Sequence, residues 1–207
     1  ITGTGIISAM GRNTREVAMN LYNGKCGLHH NEDRWTYISD LCGKVPSWKE
    51  DYLSILTHAQ YKCMPAHGFF VLDAVFEALK KAKVSKEFLE NHNVSLIVSN
   101  DSECYESADL VKHVKSDADN RQLPVTTLFN TLNSAISMNL ASILHIHGLS
   151  LTVSAACAGG GHAIGLAKML LDSKQTEMVI VIGAQECASR YCMEAFDALG
   201  VFSPDKV

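Results

Sequence analysis

With 207 residues, 47% hydrophobic and 19% charged, the chain carries enough apolar material for one sizeable core and too much to stay a disordered segment. A net charge of −4 and a pI near 6.1 exclude the basic footprint of a nucleic-acid binder. No apolar run approaches the roughly eighteen residues of a membrane span, so no membrane insertion is expected and a cytoplasmic location is.

The seven cysteines (Cys26, Cys42, Cys63, Cys104, Cys157, Cys187, Cys192) are odd in number and form no Cys-x-x-Cys pair. That pattern reads as reduced thiols, not a zinc or redox motif. Four prolines and no repeat or linker leave one domain or half-domain over residues 1–207. The chain opens on Ile1 to Ser8, which read as a strand with glycine punctuation and no initiator methionine. It ends in the loop-like stretch 202–207, so it reads as part of a longer chain. Gly3-Thr4-Gly5 resembles the start of a dinucleotide fingerprint. Ser8 replaces the third glycine, however, and no acidic residue follows at the right distance, so a structural turn is expected.

From Pro65 to Lys83 the apolar residues Leu72, Val75, Phe76 and Leu79 keep helical spacing, and Lys80, Lys81 and Lys83 close the last turn. Val94 to Val98 is a short β-branched strand. The polar region from Asp101 to Gln122 is expected to be part loop and part helix, with Asp117 and Asp119 in a solvated acidic patch. Leu128 to Ile143 is helical in period. His145 and His147 would share one face of a strand, and His29-His30 add two imidazoles, but no third ligand stands at a usable spacing and no metal is expected. The most regular unit follows: strand Ser150 to Ser154, a glycine-rich turn, helix His162 to Leu171 and the apolar strand Met178 to Gly183. A fully apolar strand after a helix marks a buried parallel sheet and the α/β class.

Within that unit, Cys157 falls between the strand end and the helix start. Amides and partial positive charge at a helix N-terminus favour a thiolate and can donate to an oxyanion. Ala155, Ala156, Ala158 and Gly159 to Gly161 leave room for a substrate to approach. His162 lies five residues on, which on one helix turns it roughly 140° away, so it is not expected to be the base.

The segment Ser154-Ala155-Ala156-Cys157, its glycine-rich turn, His162 and Ile164-Gly165 resemble the active-site region of β-ketoacyl-acyl-carrier-protein synthases. The opening Ile1 to Ser8, Asn133-Ser134 to Met138, Val181 to Glu186 and the stretch Phe196 to Ser203 also match. The resemblance implies a thiolase-like fold, here the N-terminal half, with a central mixed, mostly parallel sheet flanked by helices. It implies an acyltransferase that loads Cys157 from acyl-carrier protein and condenses the acyl group with a decarboxylating malonyl thioester. Substrates would arrive on phosphopantetheine, with no resident cofactor. Cys157 would use its own amide in the oxyanion hole, and Phe196 would lie beside the acyl channel. Strand Ser150 to Ser154 would pair with its mate in a homodimer, or with a ketosynthase-like partner subunit. The family's catalytic histidines and lysine belong to a C-terminal half that these 207 residues lack.

One stretch departs from the family. Ser99-Asn100-Asp101-Ser102-Glu103-Cys104 stands where a glycine-rich turn is common. Two rivals remain: a companion subunit that shapes a pocket without condensing, and a cysteine hydrolase with a nucleophile elbow. The elbow motif wants glycine two residues to each side of the nucleophile, and here those positions hold Ala155 and Gly159.

Overall fold

The computed structural model describes residues 1–32, 38–45, 47, 51–101, 107, 110–112, 114, 126–186 and 190–204. Ser102 to Cys104, Asp117, Asp119 and Cys187 lie outside them. In chain order the elements are α1 (Thr14–Tyr22), β1 (Leu28–His30), β2 (Leu41–Gly43), α2 (Tyr52–Ile55), α3 (His58–Cys63), α4 (Ala66–Ala82), α5 (Lys86–Asn91) and β3 (Val94–Ser99). After these come α6 (Thr127–Asn130), α7 (Ala135–Leu144), β4 (Ser150–Val153), α8 (Gly159–Asp172), β5 (Met178–Gly183) and α9 (Arg190–Ala198).

The central sheet is parallel, in the order β4-β3-β5, with Leu96 opposite Ser150 and Ile180. β1 and β2 form a separate antiparallel pair. Every residue of β3 is buried, and the period-2 alternation of a strand sends its side chains to two different cores. Val94, Leu96 and Val98 join Leu72 and Val75 of α4 and Ile136 and Leu140 of α7. Ile97 points the other way, against Ala163 and Ala167 of α8. Each of the buried Val, Leu and Ile side chains contributes about 1.5–3 kcal/mol, so β3 is the spine on which both helical layers rest.

Helix α4 matches the expected span, with Pro65 as its N-cap and Lys83 ending it in a left-handed conformation at φ 57°. The strand expected at Ile1 to Ser8 is not formed; the segment makes only an isolated bridge between Ser8 and Gly11. It lies instead along α4, so closely that a Cβ on Gly3 would stand 2.1 Å from the Ala78 carbonyl oxygen and one on Gly5 1.8 Å from that of Ala74. Close packing, not phosphate binding, accounts for these glycines.

The helix expected over 128–143 is broken into α6 and α7. Thr131 Oγ1 donates to the Leu128 carbonyl at 2.8 Å, and the carbonyl of Asn133 accepts from Asn100 Nδ2 at 3.0 Å. Polar side chains that bond nearby backbone compete with helix continuation. His145 caps α7 in a left-handed conformation at φ 54°, so it and His147 do not share a strand face.

Candidate active site

β4 ends at Val153 and the chain turns sharply. Ala155 has φ −153° and ψ 30°, and Ala156 then adopts a left-handed φ of 46°, which costs an L-residue about 1–2 kcal/mol. Ala156 to Ala158 form one 3-10 turn, closed by Ala158 N–H donating to the Ala155 carbonyl at 3.1 Å. That turn runs into α8 at Gly159, three residues before the expected start at His162. Cys157 therefore sits in the turn feeding the helix, and it is exposed. The first amides of a helix have no intrahelical acceptor, and the helix dipole places positive potential there.

Packing fixes the helix start. Gly159, Ala163 and Ala167, spaced four apart, are the buried residues of α8, and they let the helix lie close on β3. A Cβ on Gly159 would meet Ser99 Oγ at 2.2 Å, whereas Gly160, Gly161 and Gly165 face open space.

The departing stretch after β3 supplies a contact that sequence reasoning missed. Asp101 accepts a hydrogen bond from the Ser154 hydroxyl on Oδ1 and one from the Ala156 N–H on Oδ2, the latter at 2.9 Å. Behind it, Asn100 is fully buried. Its Oδ1 lies 3.4 Å from His67 Nε2, and its Nδ2 donates to the Asn133 carbonyl. Burial lowers the His67 pKa from 6.5, against the opposing pull of the Asn100 hydrogen bond and of Glu186, so the site behind the turn favours the neutral imidazole. The signal for Asp101 in the sequence was its place in a stretch that departs from a glycine-rich turn just past β3.

The other expected site residues are dispersed. His162 is exposed on α8. Phe196 lies on α9, 39% exposed. Among the described residues, no group of three His, Cys, Asp or Glu side chains could hold a metal ion, and Cys26, Cys42, Cys63, Cys157 and Cys192 are free thiols. No described helix is long and apolar enough to cross a membrane.

A sequence model of the family described as "Beta-ketoacyl synthase, N-terminal domain" matches residues 1–207. The chain belongs to the β-ketoacyl synthase family. This ketosynthase-family chain is 26% identical over 208 residues to 3-oxoacyl-[acyl-carrier-protein] synthase 1 of Buchnera aphidicola subsp. Acyrthosiphon pisum, an alignment covering 98% of the chain and 50% of that relative. It thus spans about half the length of the curated relative. The ishigamide ketosynthase/chain length factor superposes with a TM-score of 0.84 at 20% identity, covering 100% of this chain and 52% of that one. A type II PKS acyl-carrier protein in complex with its ketosynthase bound to the hexaketide gives 0.80 at 17% identity, covering 100% and 50%. The α/β fold of this ketosynthase domain is therefore the thiolase-like one, its three-stranded parallel sheet flanked by helices.

Proposed function

We propose that this chain supplies the nucleophile-bearing half of a 3-oxoacyl-acyl-carrier-protein synthase, an acyltransferase of fatty-acid or polyketide-type synthesis acting in the cytoplasm. The observation that carries the reading is the exposed Cys157 in a 3-10 turn that leads into α8. The Cys157 thiolate attacks the carbonyl of an acyl thioester held on the phosphopantetheine of an acyl-carrier protein, forming a thioester on Sγ and releasing the carrier thiol. The Cys157 amide and the α8 N-terminus stabilise the oxyanion. The acyl-enzyme is then condensed with the carbanion left by decarboxylation of a malonyl thioester, using groups outside residues 1–207. Phe196 borders the acyl chain, and β4, an edge strand among the described residues, pairs with a second copy or a ketosynthase-like subunit.

The test is an intact-mass measurement after exposure to an acyl-acyl-carrier-protein thioester, followed by a peptide map. An adduct on Cys157 that is absent from Cys157→Ala supports the reading; transfer that persists in the variant overturns it. A second reading, a companion subunit that does not condense, draws on the likeness to a ketosynthase/chain length factor. It predicts no adduct even when the full-length partner is present.

A further inference from the structure

Two features of the turn before Cys157 have no counterpart in the reaction just described. Ala156 holds a left-handed backbone conformation without being glycine. A single carboxylate, Asp101, takes hydrogen bonds from two residues of this turn, from the Ser154 hydroxyl and the Ala156 N–H. We propose that Asp101 is a positioning residue that clamps the left-handed Ala156 turn and so holds Cys157 at the α8 N-terminus; this rests on Cys157 being the acylated residue.

The geometry suits a clamp. Asp101 follows the last residues of β3, which run parallel to β4 with Ser99 opposite Val153. A short side chain two residues beyond that pair reaches the turn that leaves β4. The backbone just before it is anchored from several directions. Asn100 N–H donates to the Val153 carbonyl at 3.2 Å, Ala184 N–H donates to the Ser99 carbonyl at 2.9 Å, and the Asn100 side chain is buried between His67 and Asn133. The carboxylate is thus set on a rigid shelf, and hydrogen bonds to a charged acceptor are roughly twice as strong as neutral ones. With the two bonds removed, no other contact among the described residues offsets the cost of a left-handed alanine, and the turn relaxes, carrying Cys157 with it.

Glycine adopts φ near 46° without that cost, which gives the test its second arm. In Asp101→Ala, the amide exchange rate of Ala156, followed by NMR, should rise about tenfold or more while those of Ala163 and Ala167 in α8 change little. The single-turnover rate of acyl transfer to Cys157, divided by its alkylation rate with iodoacetamide, should fall by about tenfold. Adding Ala156→Gly to Asp101→Ala should restore most of that ratio. Alkylation, which needs no oriented thiol, absorbs any effect of removing a nearby negative charge. If Asp101→Ala does not fold, Ser154→Ala removes one arm of the clamp and should give a smaller rise in Ala156 exchange. Unchanged exchange at Ala156, a rise shared equally by α8, or no rescue by Ala156→Gly would each overturn the proposal. If the wild-type protein is never acylated, the functional reading fails, while the exchange measurement still decides whether the clamp exists.

Discussion

Gly159 and Ser99 approach so closely that a methyl group on the glycine would stand 2.2 Å from the serine Oγ and 3.3 Å from its Cβ. The contact joins the first residue of α8 to the last of β3, whose carbonyl is held by Ala184 N–H. Gly159→Ala is expected to destabilise the protein by about 1–3 kcal/mol, the usual cost of forcing extra volume into a packed contact. Gly160→Ala, one residue on and facing open space, should be neutral or stabilising by up to about 1 kcal/mol because alanine is the better helix former. Differential scanning calorimetry on both variants separates the two. Ser99→Ala, which removes the clashing oxygen, should recover part of the loss in Gly159→Ala, and equal melting temperatures for the two glycine variants would refute the packing account.

Glu77 on α4 ties down the N-terminal segment. It accepts from Ile6 N–H at 3.2 Å and Thr14 N–H at 3.0 Å, and from Lys81 Nζ at 2.6 Å. Partial burial pushes its pKa up, but the hydrogen bonds from Lys81, Thr14 and Ile6 outweigh that and lower it from 4.5. A carboxylate with a depressed folded-state pKa contributes stability that is complete above the unfolded value and is lost as pH falls through the folded one. Glu77→Gln should therefore lower the unfolding free energy at neutral pH by about 1–2 kcal/mol for the weakened charge-assisted bonds, seen as a lower urea midpoint, and should matter less the further the pH drops below 4.5. A difference from wild type that is independent of pH would exclude the ionic part of this anchor.

His67 gives a second, separate pH window. Its folded pKa is lowered from 6.5 chiefly by burial, so below that value the unfolded chain binds the proton more readily than the folded one. Stability is complete above pH 6.5 and declines as pH falls from there toward the folded value. Urea midpoints at about pH 7 and about pH 5.5 should differ in the wild-type protein, and His67→Gln should remove most of the difference. An undiminished slope in the variant would assign the acid sensitivity to other groups.

Much of the site unit could be read in advance because it follows short-range rules. The apolar run Met178 to Gly183 formed the expected parallel strand, Pro65 and Lys83 bounded α4, and Cys157 fell between a strand and a helix. Most of what could not be read depends on contacts distant in sequence, and the rest on local polar or turn geometry. Ile1 to Ser8 has the residues of a strand, yet its glycines are there to lie against Ala74 and Ala78 of α4. The period of 128–143 favours one helix, but Thr131 and Asn100 claim the carbonyls at its break. Asp101 could be seen only as a departure from a glycine-rich turn, since its partners Ser154 and Ala156 stand more than fifty residues away. Helix α8 started three residues early because the 3-10 turn at Ala156 leads directly into it.

The edge of β4 bears on assembly. In the order β4-β3-β5, β4 has one neighbour among the described residues, and Leu149 and Leu151 beside that edge are 45% and 37% exposed. Leu151 also lines an apolar hollow with Leu166, Leu170 and the exposed Met169 of α8. An open strand edge beside exposed apolar side chains tends to recruit another strand. If β4 pairs with its mate, Leu151→Lys places a charge beside the same charge across a two-fold axis. Sedimentation velocity should then show a dimer for the wild-type protein and a monomer for the variant, with far-UV circular dichroism unchanged because Leu151 is not part of the buried core. A wild-type monomer, or a variant that still dimerises, would move the assembly surface away from β4.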